Sequence, residues 1–355
     1  MNTRPASHVP PIRKLPFGIG YAAFAFASGC CVLLLARANA LTFPYPWNDE
    51  ARFFLPAWWL STNGSLSPAV LNAPQGIFWV PDGFYIWLAA ILSIFGRIVE
   101  VARVACELTV TLGVALFAIA FRRITGSPWI GAAVTTVLLT PPTIFAANMI
   151  RMEAPLFLIF AVAVLFHIAG MRLACASMLL LSLLFHPAFL IALVLYLLAV
   201  WATRKTQGPP RKHSASRMLA WLLFAIVVIA AGLELFRIVQ HFPLVRQHMA
   251  LQEMRKAGHS ITALLRKPQG ILLGIEILVA VWIAITRRRG SRGAQCENLV
   301  PFAAAALGVQ LYAVFGGEVM YDVYSLAMTP AIFLCLAYCG LLKGGQLRTD
   351  QLKTG

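Results

Sequence analysis

The sequence predicts an all-α polytopic membrane protein, a bundle of about ten transmembrane helices. Of its 355 residues, 60% are hydrophobic and only 12% are charged, which leaves too little polar surface to cover a soluble domain. Apolar runs recur at about the 20 residues that cross a hydrocarbon core as a helix, and they are too long and irregular for alternating barrel strands. The net charge is +16, and the Lys and Arg residues cluster between the apolar runs. This pattern is typical of cytoplasmic loops rather than of a nucleic-acid surface.

The first predicted span covers residues 17–41 and follows a basic tail, residues 1–16. It resembles a signal peptide with Ala-Asn-Ala at 38–40, but its apolar region exceeds the roughly 7–15 residues of such peptides, so a retained helix is predicted. The later spans are predicted at 99–121, 128–147, 153–171, 173–185, 187–203, 218–236, 269–286, 299–316 and 326–342. With the N-terminus in the cytoplasm, both tails (1–16 and 343–355) lie inside and every inner loop is positive. The whole chain is thus predicted to be one membrane domain, with no soluble domain after the last span.

Residues 79–95 form a shorter apolar stretch, which Pro81-Asp82-Gly83 interrupts. A full crossing there would invert the later helices and place their basic loops outside, against the usual charge rule. We therefore predict a juxtamembrane or re-entrant helix within the first outer loop, residues 42–98.

The first candidate site follows the opening span, at Asn48-Asp49-Glu50-Ala51-Arg52. Asn48 can cap a short helix, and acidic residues are favoured in a first helical turn. Capping alone would explain them, but carboxylates at a membrane edge also suit a general base, and Arg52 could hold such a base ionised. Because Pro56 would interrupt a longer helix, only the first turn is secure.

Two further candidates lie at predicted outer turns. Arg151 and Glu153 are two residues apart and would not share a helix face, so each is expected to find its partner elsewhere. Ions at a membrane edge are costly and usually functional, although a structural interhelical pair is the alternative. His186, before Pro187, is either a substrate-binding group or a capping and packing residue.

The remaining candidates lie later on the outer face. The basic loop 237–268 would bind anionic phosphate or rest on acidic headgroups; its cations are Arg237, Arg246, Arg255, Lys256, Arg266 and Lys267. The segment before the last span would either line a cavity or hold the helix at the interface; its polar residues are Glu318, Tyr321, Asp322 and Tyr324.

The order of these features resembles the polyprenyl-phosphate-dependent glycosyltransferases of the GT-C superfamily, notably protein O-mannosyltransferases and lipid A aminoarabinose transferases. The matching features are an acidic pair in the first outer loop, an aromatic helix ending in Phe-Gly, an arginine in the next helix, a second acidic site, a His-Pro turn and a tyrosine-rich entry to a late helix. In this chain they are Asp49-Glu50, Tyr85 to Gly96, Arg103, Glu153, His186-Pro187 and residues 321–330. The chain departs from the pattern in having Glu153 where aspartate is common and Val80-Pro81-Asp82 where two prolines are usual.

The resemblance implies an inverting glycosyltransferase that moves a sugar from a polyprenyl-phosphate donor to a hydroxyl acceptor on a glycan, lipid or protein. Asp49 would be the base, and Glu50 and Glu153 would orient the substrates; Asp49 and Glu153 would hold Mg or Mn if a divalent ion is used. Cations would stabilise the departing lipid phosphate; they are Arg52, Arg103, Arg151, Arg255, Lys256, Arg266 and Lys267. The expected setting is a bacterial inner membrane with the site facing the periplasm, in contact with membrane lipids and without nucleic acid.

Two other functions remain open from the residues alone. A secondary transporter or lipid flippase for an anionic substrate would use membrane-edge carboxylates to relay protons. A non-catalytic scaffold would tolerate alanine at Asp49, Glu50 and Glu153 together.

Overall fold

The structure is a computed structural model that describes residues 48–66, 81–125, 141–187, 189–203, 214–240, 268–287, 299–316 and 328–337, with parts of 27–38, 133–138 and 242–250. Most of these described residues are helical and none is in a strand, which confirms the all-α prediction. One described helix, Val99–Ile124, is long and apolar enough to cross a membrane, and several other apolar helices are shorter. The polytopic bundle therefore stays a prediction.

The helices follow the predicted order closely. We number them α1 (Asn48–Asn63), α2 (Gly83–Phe95), α3 (Val99–Thr125), α4 (Pro141–Asn148), α5 (Glu153–Ile168), α6 (Arg172–Leu181), α7 (Phe189–Thr203), α8 (Ser214–Gln240), α9 (Pro268–Arg287) and α10 (Val300–Gly316). A 3₁₀ turn, Ser182–Leu184, continues α6, and residues 329–337 are helical. Most of the predicted first span and of the loop 237–268 lies outside the described residues.

Helix α1 is longer than predicted, because it continues through Pro56 to Asn63. Proline inside a helix removes one backbone hydrogen bond, but Pro56 is buried here together with Phe53 and Ala57. The Phe53 ring meets Phe84 of α2 edge to face, with centroids 5.5 Å apart. Packing of this face against α2 offsets the lost bond, so the expectation that Pro56 would interrupt the helix was wrong.

Helix α2 takes the place of the predicted juxtamembrane segment, and its first turn is closely packed. A side chain at Gly83 would meet the backbone carbonyl of Leu184 in the 3₁₀ turn. The preceding Asp82 pairs with Arg237 of α8 at 2.5 Å, and Arg237 also pairs with Glu234 at 2.7 Å. Arg237 was expected in the basic outer loop, but α8 extends through Gln240, so its charge is used within the fold.

The core of the described residues lies between α3, α5, α7 and α10. Helices α3 and α5 meet at Gly113, which allows close approach of Phe157. The ring of Phe160 in α5 meets Phe302 of α10 edge to face at 5.6 Å. This core supports the end of the molecule at which α1 and the turn before α5 come together.

Candidate functional site

The site is built around Glu50, in the first turn of α1. Its buried carboxylate accepts two hydrogen bonds from Arg103 of α3, from Nε at 3.2 Å and from Nη2 at 2.7 Å. It also accepts the backbone N–H of Ile150 at 3.1 Å. A bidentate charged pair is among the stronger side-chain interactions. Glu50 therefore joins α1, α3 and the turn before α5.

The second acidic position lies at that same turn. Arg151 Nε pairs with Glu153 Oε2 at 3.3 Å, and both side chains are buried. The expectation that these two residues would not pair locally was wrong. Arg151 lies in the turn and Glu153 is the first residue of α5, so helical spacing does not govern the pair.

Arg151 also links the turn to α1. Its guanidinium carbon lies 5.2 Å from the centroid of the Phe53 ring, within range of a cation–π interaction. Through Ile150 and Phe53, the turn that carries Arg151 and Glu153 contacts the helix that carries Glu50. The structure thus brings the two predicted acidic positions together, although about a hundred residues separate them.

Two neighbouring residues were missed by the sequence analysis. The buried thiol of Cys106 in α3 lies against the backbone of Arg151, close to Glu50, Glu107 and Glu153. Glu107 is itself buried. A carboxylate within an apolar span, one turn after Arg103, was the signal that would have identified it.

His186 borders the cluster from the turn that precedes α7. Burial and the nearby charge of Arg151 lower the pKa of His186 to about 3. The imidazole is therefore neutral at physiological pH and contributes hydrogen-bonding groups rather than positive charge. Its ring centroid is 6.5 Å from that of Tyr312 on α10, so α10 also reaches the site.

The charged side chains of the cluster differ in their exposure to solvent. Glu50, Glu107, Arg151 and Glu153 are all buried, whereas 22% of the Arg103 side chain is exposed. Arg103 uses Nε and Nη2 toward Glu50, which directs the Nη1 edge away from that pair. Arg103 is therefore the cation through which the described cluster meets solvent or a ligand.

The other predicted residues fall into two groups. Arg52 is exposed on α1, and Asp49 has its backbone in the first turn of α1 while its side chain lies outside the described residues. The remaining predicted binding residues also lie outside the described residues: Arg255, Lys256, Arg266, Lys267, Glu318, Tyr321 and Tyr324.

The described residues do not provide a ready metal site. No group of three His, Cys, Asp or Glu side chains within them is placed to hold an ion. Glu153, predicted as a ligand, pairs with Arg151. Asp49 and residues beyond the described ranges would have to supply the other ligands of the predicted Mg or Mn.

Comparison with known proteins adds no identification. No family model, curated protein or solved structure matches this chain.

Proposed function

We propose that the protein is an inverting membrane glycosyltransferase that moves a sugar from a polyprenyl-phosphate donor to a hydroxyl acceptor. One observation carries this proposal. Glu50 is held by Arg103 and the Ile150 N–H, which fixes the first turn of α1, and with it the backbone of Asp49, against the Arg151–Glu153 turn. Two adjacent carboxylates then have separate tasks, because Glu50 positions the helix and Asp49 is left for chemistry.

Asp49 acts as the general base in this mechanism. The acceptor hydroxyl oxygen attacks the anomeric carbon and forms the new glycosidic bond, while its proton passes to the Asp49 carboxylate. The bond between the anomeric carbon and the phosphate oxygen breaks, and the lipid phosphate leaves with the electron pair. Attack opposite the leaving group inverts the anomeric configuration.

The arginines stabilise the leaving group. Negative charge on the lipid phosphate grows as its bond to the sugar breaks, so a fixed cation lowers the energy of the transition state more than that of the bound donor. Arg103 is suited to this task because its guanidinium is partly exposed and its orientation is set by Glu50. Arg151 is more deeply buried and is paired with Glu153, so it holds the turn that faces Arg103.

A pair of substitutions tests the base assignment. The full-length chain, purified and reconstituted with polyprenyl-phosphate sugars and hydroxyl acceptors, should transfer sugar. Asp49→Asn should reduce transfer by the ~10²–10⁴-fold typical of a lost general base while leaving the fold intact. Glu100→Gln removes an exposed carboxylate from the first turn of α3 and serves as the matched control.

The measured product separates this function from transport. Sugar attached covalently to an acceptor supports the proposal. Full turnover by Asp49→Asn would show that Asp49 is not the general base. Movement of labelled lipid or solute across sealed vesicles, without a new glycosidic bond, would identify a flippase or transporter instead.

A further inference from the structure

A second buried polar group lies at the contact of α9 and α10. Only 2% of Glu276 and none of Gln310 is exposed, and the amide of Gln310 faces the Glu276 carboxyl group. Within the described residues, the Glu276 carboxyl oxygens and the Gln310 amide atoms complete no hydrogen bond of ordinary geometry. Polar atoms buried in this way are uncommon, and each calls for an explanation.

The pair is separate from the candidate site. Tyr312, the α10 residue beside His186, is two positions from Gln310 and therefore about 200° away around the helix axis. Gln310 points to the opposite side of α10, toward α9. The surroundings of the pair are apolar, since the neighbouring Leu273 packs against Leu307 and Leu311.

The depths of the two residues match. Glu276 lies roughly 12 Å along α9 from its first residue, Pro268, and Gln310 lies roughly 9 Å along α10 from its last residue, Gly316. In the predicted topology these two ends lie on the same side of the membrane, so both side chains would occupy similar depths well inside the apolar helices.

The charge of Glu276 has no compensating cation on either helix. The other charged residue of α9 is Arg287, roughly 16 Å away along the axis, and α10 contains no charged residue. Tyr312 is the titratable residue of α10, and it faces His186. An unpaired carboxylate in apolar surroundings is so costly that such a group takes up a proton instead.

We propose that Glu276 and Gln310 form a buried proton-binding site. At neutral pH the Glu276 carboxyl group is protonated and donates its O–H to Oε1 of Gln310, which leaves the contact uncharged. The bound ligand is thus a proton, and its release would place a negative charge between two apolar helices. Neither the position nor the chemistry of this site depends on the proposed glycosyl transfer.

Infrared difference spectroscopy of the full-length chain tests the protonation state directly. The wild-type spectrum minus that of Glu276→Gln, recorded at neutral pH, should contain the carbonyl band of a protonated carboxylic acid. Glu100→Gln is the matched control, and its difference spectrum should contain carboxylate bands because that side chain is exposed. Gln310→Leu should keep the acid band but move it to higher frequency, since the carboxyl group loses its partner.

Stability gives a second measurement. Because glutamine has the shape and neutrality of a protonated glutamate, the thermal midpoint of Glu276→Gln should equal that of the wild type. Carboxylate bands in place of the acid band, or a clear fall in that midpoint, would overturn the proposal.

Discussion

Replacing Glu50 with glutamine is expected to destabilise the fold, because this carboxylate joins three parts of the chain. It accepts hydrogen bonds from Arg103 at 3.2 and 2.7 Å and from the Ile150 N–H at 3.1 Å. Glutamine is nearly isosteric, but it has no negative charge, and its amide N–H₂ would face donors. The substitution therefore removes the charge and at least one acceptor without creating a cavity.

The expected size follows from the burial of the two partners. Breaking a buried ion pair by removing one member typically costs about 3–5 kcal/mol, and a hydrogen bond to a charged group contributes about 1.5–3 kcal/mol. Glu50 has 3% of its side chain exposed, but Arg103 has 22%. Water can therefore partly solvate the guanidinium of Arg103 once it has lost its partner, which lowers the cost. We expect a loss of about 2–3 kcal/mol in the free energy of unfolding.

A double-mutant cycle measures this pair without relying on one variant. The free energies of unfolding of Glu50→Gln, Arg103→Met and the double variant should give a coupling of about 2 kcal/mol. The matched control is Glu100→Gln, because Glu100 is exposed and lies one turn before Arg103 in α3. Its loss of free energy of unfolding should stay within about 0.5 kcal/mol. Equal stability of the Glu50 and Glu100 variants would refute the structural role of Glu50.

Two more predictions concern the packing of α3 and the contact of α2 with α8. In Gly113→Ala the new Cβ would lie 2.5 Å from the Phe157 ring, so the free energy of unfolding should fall by about 1–3 kcal/mol. Gly232→Ala is the control, because open space surrounds that position, and it should cause no loss. Equal effects of the two substitutions would contradict the close packing at Gly113. Burial raises the pKa of Asp82 from its ordinary value of 3.8 to about 6, although Arg237 opposes the shift. Since the folded chain then binds this proton at higher pH than the unfolded chain, the thermal midpoint should rise as pH falls from about 6 to about 4. Asp82→Asn should flatten that slope, and an unchanged slope would be the contrary result.

The order and approximate bounds of the helices could be predicted because apolar runs and basic ends are local properties. Helix α3 begins at residue 99 as predicted, but it continues to Thr125, since Arg122 and Arg123 were taken as the start of a loop. The length of helix α1, in contrast, could not be predicted from local properties. Whether Pro56 ends a helix depends on what its face packs against, and Phe84 lies about thirty residues away in the sequence.

The charged residues of the site could be identified, but their pairing could not. Glu50 was predicted as a carboxylate at a membrane edge and Arg103 through the family resemblance, but no local pattern predicts a bond between residues 53 positions apart. The pairing of Arg151 with Glu153 depended on the exact start of α5. Glu107 was not predicted, because this carboxylate lies inside a helix rather than at an outer turn.

The adjacent carboxylates at 49 and 50 provide the sharpest test of the whole interpretation, because they are expected to fail in different ways. Asp49→Asn should retain the wild-type free energy of unfolding and lose sugar transfer. Glu50→Gln should lose stability, and under conditions in which it is still folded it should retain more transfer than the Asp49 variant. If both variants are fully stable and equally inactive, the two carboxylates act on the substrate together. Glu50 would then be a catalytic residue, and its pairing with Arg103 would have to open when the donor binds.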